Sequence, residues 1–539
     1  MIKLQVILLL LAITIIGAVL RFTNLTNNPP SLNIDEVAYG YSAYSILKTG
    51  KDENGKFMPI AFRSIGDYKS PVLIYSLVPS IALFGLNEFG VRFTTVLAGV
   101  LSIPLIFLLI NILTHNFKIS LVGAAFLSTS PWHIYYSRFA SDHMMGTFFL
   151  MLGFIFFHKL LAGFKVWLPA AIFLAASMYS YHSHRLFIPL FIGSVLIFNH
   201  RIIRPPNIKA FLAIFIVLIL PLIFLTLFGP LNTRAQMVFL SQDIDYTRYV
   251  ILDHIEKSGE NSLLFFFWAK RYLNYFQPDF LFFNGLNMTS PGTLGLGVLH
   301  LFEFPLLVLG IIHLIQKKSN FKKLIILWIL IGLVPASVTN NEQSAGRSLL
   351  ILPALVVVIS LGTIYFFKIV KNLSNIFLKT AVLGLLTLLT FISLVHAFLV
   401  FSVYFPNERG EAFMEGTKET VLYALENKDK YREIVFDPYR GIEAQNIVNI
   451  PYMYVLFYSQ YDPVKFQTEQ KENQGEIFKF DKFVFRRIDW RQDRLKRGIL
   501  FVGSPWSLPL QDIREEEILK KIYLTNGNLA LLVVSPHPD

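Results

Sequence analysis

PVLIYSLVPSIALFG, residues 71–85, is the stretch on which the fold turns. It is apolar and short and holds Pro79 near its middle, so it suits a helix lying in the membrane interface as well as one that crosses. The rest of the chain arbitrates. Long apolar runs lie at Leu4–Leu20 and near 91–113, 119–135, 143–161, 166–180, 185–198, 208–228, 295–315, 322–338, 347–367 and 377–403. With 71–85 lying flat, the connections on one side become His115–Lys118, Gly163–Lys165, Asn199–Lys209, Gln316–Lys323 and Lys368–Lys379. They read HNFK, GFK, NHRIIRPPNIK, QKKSNFKK and KIVKNLSNIFLK, rich in cations and without an Asp or Glu. If 71–85 crossed, all of them would be translocated, against the positive-inside bias. The flat reading predicts about 11 transmembrane helices with juxtamembrane helices, an inside N-terminus and an outside C-terminus in the cytoplasmic membrane.

Composition agrees with that class. The 539 residues are 54% hydrophobic and only 16% charged, with 51 phenylalanines and a mean hydropathy of +0.52, which describes a polytopic α-helical membrane protein. No cysteine is present, so disulfides, thiolate metal sites and cysteine nucleophiles are excluded. The net charge of +12 is accounted for by cytoplasmic connections facing anionic lipid, and no nucleic-acid partner is expected. The first run lacks a small-residue cleavage pattern after it and reads as an uncleaved span. There is no repeat period, no P-loop and no Rossmann glycine fingerprint.

Two larger outer segments stand apart. Residues 229–294 contain NSLLFFFWAKRYLNYF, predicted as a helix against the membrane surface. From about 405 the acids return. Strand-like REIVFD, KFVFRRIDW, GILFVG and LALLVV alternate with helix-like EGTKETVLYALEN and QDIREEEILKKIY. The division predicted is a membrane part over 1–404, with outer loops 22–90 and 229–294, and a small soluble α/β domain over 405–539.

The acids are placed unusually. Long apolar runs are nearly free of them, yet Asp35-Glu36 stands just past the first run and Asp142 just past another, and the flat reading puts both on the same outer face. In NIDEVAYGYSAYSILKTG, Asn33 or Asp35 can cap a helix over about 36–47, with Tyr39, Ala43 and Leu47 on one face. An acid favourable to the helix dipole is one reading; a base at the water–lipid boundary that takes a proton from an incoming hydroxyl is the other. In PWHIYYSRFASDHM, Arg138 and Asp142 are four apart and can simply pair, or Asp142 can be a second catalytic or metal-facing carboxylate while Arg138 binds an anion. Lys69, Arg92, His182, His184, Arg185, Lys270-Arg271 and Arg347 fall on the same face. Singly each is a snorkelling residue; together they make an anion site suited to a lipid phosphate. His300 and Glu303, one turn apart near a span, read as a structural hydrogen bond.

The ordered set resembles a known family. An acidic pair after the first span is followed by Lys-x-Pro, then GLNEFGVRFTTVLAGVLSIPLIF, then SPWHIYYSRFASD, with YHSHRLFIPL, FQPDFLFFNG and AGRSLLILP downstream. This order is similar to the GT-C-fold glycosyltransferases, most of all the protein O-mannosyltransferase and aminoarabinose-transferase-like group, over roughly residues 1–400. Two departures stand out: Lys69-Ser70-Pro71 replaces the group's Lys or His followed by two prolines, and no β-trefoil repeats are seen.

The resemblance implies transfer of a sugar from a polyprenyl-phosphate donor to an acceptor hydroxyl on protein, lipid or cell-envelope glycan, by a single inverting displacement. Asp35 would be the base, with Glu36 and Asp142 in the catalytic set. Lys69, Arg92, Tyr136, Arg138, His182, His184, Arg185, Lys270 and Arg347 would bind the lipid phosphate and sugar. No cofactor is certain; a divalent cation on Asp35 and Asp142 is an option. The alternatives are a polyprenyl-lipid or glycolipid flippase, disfavoured by the missing repeat and the clustering of ionisable groups at one edge, and a surface-binding protein anchored by its spans.

Overall fold

The structure, a computed structural model, describes residues 2–64, 68–198, 206–229, 231, 239–240, 260–289, 295–316, 321–340, 343–469, 472–474 and 477–536. The basic connections 199–209 and 316–323 and the outer loop 229–294 lie partly outside them. The chain is a multi-pass α-helical protein with a strand-rich C-terminal region. Among the described residues six helices are long and apolar enough to cross a membrane: Leu4–Phe22, Glu88–Thr114, Asp142–Leu161, Asn207–Leu227, Ala345–Lys371 and Ile376–Glu408. Five apolar helices are shorter, among them Pro71–Phe84, Phe117–Thr129 and Trp167–Ser180. Pro71–Phe84 has 14 residues and spans about 20 Å, less than the roughly 30 Å hydrocarbon core, a shortfall it shares with its equally short neighbours.

The chain divides into two compact units. The first holds Met1–Thr23, Ile60–Leu73 and Thr95–Val400. The second holds Asn24–Pro59, Ile74–Thr94 and Phe401–Asp539, and so takes in segments that sequence reading assigned to the membrane part.

In the first unit, the helix ending at Lys371 is the axis. Its most apolar window is 83% buried, whereas those of Leu4–Phe22 and Ile376–Glu408 are 11% buried and face outward with Leu8, Ile15, Phe377 and Phe391. Small residues bring its neighbour close: a Cβ at Gly362 would run into the Leu306 carbonyl, and one at Gly310 into that of Val358. Backbones that approach so closely gain dispersion contacts that lipid chains do not supply. The run 119–135 breaks at Ser130, because Pro131 disfavours helical backbone before it; Ser130 then caps the short helix Pro131–Ser137.

Two arginines close helix ends here. Arg21 is fully buried and donates to the carbonyls of Leu127 and Ser128 at 3.0 and 2.9 Å, the last turn of Phe117–Thr129, and reaches His133 Nδ1 at 2.8 Å. Arg138 donates to the carbonyls of Leu20, Arg21 and Thr23 at 2.9, 3.2 and 2.8 Å, the end of the first helix. Helix C-termini leave carbonyls unpaired and carry partial negative charge, so a guanidinium there satisfies both needs. The expected phosphate ligand Arg138 is thus engaged with backbone.

The second unit is built on a seven-stranded sheet. Its strands are β1 (Glu433–Phe436), β2 (Glu472–Gln474), β3 (Ile477–Phe480), β4 (Phe483–Phe485), β5 (Ile499–Gly503), β6 (Ile518–Tyr523) and β7 (Leu529–Val534). Their spatial order is β6-β7-β5-β1-β4-β3-β2. β1 runs parallel to β4 and β5, with Val435 opposite Val484 and Phe501; the outer pairs are antiparallel. Val435, Trp490, Phe501, Leu508, Leu532 and Val534 belong to one core.

The expected helix over QDIREEEILKKIY is corrected. Its acids form a tight turn, Glu515–Glu517, and ILKKIY is the edge strand β6, pairing Ile522 with Leu531. Lysines on an edge strand discourage pairing with other chains, and the same charges mimic a helix pattern in sequence.

This region is built onto the helix Ile34–Thr49. The Tyr454 hydroxyl donates to the Leu32 carbonyl at 2.8 Å, Tyr41 donates to that of Tyr461 at 3.0 Å, and Gln467 Nε2 reaches Ser45, Thr49 and the Asp52 carbonyl. Gly40 lets the Phe457 ring lie against the helix, where a Cβ would come within 2.6 Å of it. Removing residues beyond 405 would strip these contacts from Tyr41, Ser45 and Thr49.

Arg92, also fully buried, gathers the loop before that helix. Its guanidinium donates to the carbonyls of Leu25, Pro29 and Ser31 and pairs with the Glu36 carboxylate at 3.0 Å. Lysine cannot reproduce this fork. Arg92→Lys is expected to lower stability by about 3 kcal/mol, read as a drop in the melting temperature of the purified chain; an unchanged melt would contradict the clamp. A second prediction concerns Asp493, which is buried, accepts from Arg486 at 2.7 and 2.8 Å and from Lys496 at 2.8 Å. Burial alone would raise its pKa, but these cations hold it below the ordinary value. A depressed native pKa stabilises above the unfolded value of about 3.9 and is lost as pH falls through the native one. Asp493→Asn should therefore cost about 2 kcal/mol at neutral pH, and the gap to the native chain should narrow below about pH 4.

Candidate functional site

In the second unit, Asn33 caps the helix Ile34–Thr49 in a capping box: its Oδ1 accepts from Glu36 N at 2.9 Å and its N–H donates to Glu36 Oε2 at 3.1 Å. Glu36 is completely buried, joined to this cap and to Arg92. Asp35, about 100° around the helix, is exposed. One acid of the pair thus faces inward as part of the fold and the other faces outward. Glu36 and Arg92, expected in the catalytic and phosphate sets, are both tied into the loop's architecture.

In the first unit, a cavity of about 330 Å³ is lined by Tyr181, His182, Arg185, Thr339 and Arg347 against the apolar side chains of Leu186, Val338 and others. Two guanidinium groups therefore share one largely apolar recess. Arg185, in the first turn of His182–Phe198, is oriented on three sides: Nη1 donates to His182 Nδ1 at 2.9 Å, Nη2 to Ser70 Oγ at 2.9 Å, and Nε to the Met178 carbonyl at 3.3 Å. It also lies near enough to Asp142 to feel its charge. Asp142 is buried at the start of Asp142–Leu161, whose cap is Ser141. Lys69 is half-buried, paired across from Phe62 in a two-stranded ribbon, and its neighbour Ser70 is the residue Arg185 holds. The departure from two prolines therefore supplies a hydrogen-bond acceptor to a cavity cation.

Arg347 sits in the turn Ala345–Ser348, capped by Ser344, and donates to Thr339 Oγ1 at 2.6 Å. The turn needs Gly346: a Cβ there would be 2.5 Å from His143 Nε2 and 3.0 Å from the Tyr136 hydroxyl. Tyr136 and His143 have ring centroids 5.2 Å apart, and His143 lies 3.9 Å from Tyr181. An aromatic group thus runs from the PWHIYYSRF segment to the cavity wall.

Of the residues singled out in sequence, His182, Arg185 and Arg347 line the cavity, and Tyr136 and Asp142 stand beside its lining. His184 does not line it: it is buried, with Nδ1 2.7 Å from Ser177 Oγ and its ring on Gly146, and joins three helices. Lys270 is exposed on Glu260–Asn274, while the neighbouring Arg271 is buried, its guanidinium 5.5 Å from the Phe267 ring. Glu303 accepts from His300 N at 3.0 Å, a structural contact. His143, Tyr181, Thr339 and Tyr275, whose hydroxyl accepts from Ser344 N, escaped sequence reading. In the sequence Tyr181 is marked only by adjoining HSHR and His143 only by following Asp142, while nothing there marks Thr339 or Tyr275. Among the described residues no group of three or more His, Cys, Asp or Glu side chains that could hold a metal ion occurs.

Comparison with known proteins fits this geometry. Residues 68–224 match the family model described as dolichyl-phosphate-mannose-protein mannosyltransferase. No curated protein matches the sequence. The chain is structurally similar to ArnT from Cupriavidus metallidurans in the apo state, with a TM-score of 0.57, 12% identity and full coverage of both chains. Against ArnT bound to undecaprenyl phosphate the TM-score is 0.55 at 13% identity, covering 98% of this chain and 97% of that one. Against an Archaeoglobus fulgidus oligosaccharyltransferase tethered to an acceptor peptide it is 0.51 at 12% identity, covering 84% of this chain and 63% of that one. The chain carries the GT-C fold, similar over its whole length to that of ArnT.

Proposed function

We propose that this protein transfers a sugar from a polyprenyl-phosphate carrier to an acceptor hydroxyl at the outer face of the cell membrane. The observation that carries the reading is the recess shared by Arg185 and Arg347. Two fixed guanidinium groups in apolar surroundings suit a lipid phosphate, and one ArnT structure of similar fold holds undecaprenyl phosphate. Asp35, exposed at a helix start, takes the acceptor proton as the oxygen attacks the anomeric carbon. The bond from that carbon to the carrier phosphate breaks on the opposite side, inverting the configuration. Arg185, Arg347 and Lys69 stabilise the charge that grows on the departing phosphate, each by about 3 kcal/mol where well placed.

Tyr136, His143 and Tyr181 offer ring faces to the sugar. Asp142, buried at its helix start, is the second carboxylate of the proposed set. Glu36 and Arg92 keep the Asp35 loop in place, and Arg138 keeps the first helix end closed.

Asp35→Asn, assayed in membranes with labelled polyprenyl-phosphate sugar, should lower turnover about a hundred-fold or more with expression intact. Near-normal turnover removes Asp35 from the base role. Arg347→Ala should weaken use of the donor by about a hundred-fold in kcat/KM, and an unchanged donor titration would count against its phosphate contact.

A further inference from the structure

A second cavity, also about 330 Å³, lies in the first unit at the far end of the axial helix, lined by Asn116, His313, Leu314, Leu361, Tyr365 and Lys368 among others. From Leu352 to Lys368 that helix rises about 25 Å, so the two recesses are separated by nearly the thickness of a bilayer's hydrocarbon core. The second is not part of the site described above.

Its wall is amphipathic in a definite way. Buried Leu314 and Leu361 line it together with Lys368 and the His313–Tyr365 pair, whose ring centroids are 5.1 Å apart. Asn116 caps Phe117–Thr129 there, accepting from Lys118 N at 2.9 Å and Ile119 N at 3.3 Å, so that helix turns its positive end toward the recess. The Tyr365 hydroxyl donates only weakly, to Gln316 at 3.4 Å. Lys368 makes no ion pair among the described residues, and the segments 115–118, 316–323 and 368–379 contain no Asp or Glu. A positive, half-apolar recess of this size beside acid-free connections suits a phosphate-bearing amphiphile.

We infer that this recess binds the phosphate headgroup of an anionic phospholipid from the leaflet opposite the transfer site. Lys368 meets the phosphate, His313 and Tyr365 supply hydrogen bonds, and the leucines receive the glycerol end of the acyl chains. The test is native mass spectrometry of the full-length chain titrated with phosphatidylglycerol and with phosphatidylcholine. The chain should retain phosphatidylglycerol about five-fold better, the ratio that one nearby cation supplies. Lys368→Ala should abolish that preference and Lys368→Arg should restore it, both with native helicity, since Lys368 is exposed. Loss of bound lipid on adding millimolar inorganic phosphate would assign the same pocket to a free anion; resistance to it assigns the headgroup. Equal retention of the two lipids by the unaltered chain, or a preference that survives Lys368→Ala, overturns the proposal.

Discussion

A guanidinium taken out of water needs hydrogen-bond acceptors around it, and Arg92 shows what that demand builds. It pulls three carbonyls of one loop and the Glu36 carboxylate around a single side chain. Glu36 in turn completes the cap that begins the next helix. Because successive helix residues point about 100° apart, fixing Glu36 inward leaves Asp35 outward. The placement of the proposed base is thus a consequence of a buried ion pair beside it. Such a pair is weak evidence for net stability, but removing one partner leaves a buried charge alone, so the arrangement is rigid.

The same demand recurs at Arg21 and Arg138, which close the ends of helices with charge-assisted bonds. In a bilayer no water is at hand to satisfy such carbonyls, and the cost of leaving them open is several kcal/mol each. Arginine at helix ends near the membrane surface therefore has two competing uses, structural and anion-binding. Arg185 and Arg347 differ from the others in facing a recess, although each is steadied by neutral acceptors, Ser70 and Thr339 among them.

That ambiguity sets the limit of what the sequence discloses. Apolar runs and basic connections made the helical architecture legible, and REIVFD, GILFVG and LALLVV were readable as strands by their β-branched, apolar character. ILKKIY was not, because an edge strand wears the charges of a helix face. Order and spacing pointed to Arg185 and Arg347, which line the recess. They gave equal weight to Arg92, Arg138 and His184, whose partners are carbonyls, carboxylate and serine brought together only by folding. Nor did anything in the sequence show that the C-terminal region grips the helix bearing Asp35 through Tyr454, Tyr461 and Gln467.

The guanidinium groups of Arg185 and Arg347 are the proposed holders of the donor's lipid phosphate. A cryo-electron microscopy structure of the full chain with polyprenyl phosphate bound would test it most directly. Phosphate density is expected within hydrogen-bond reach of both Arg185 and Arg347. Phosphate bound elsewhere, with that recess holding only the lipid tail or nothing ordered, would contradict it.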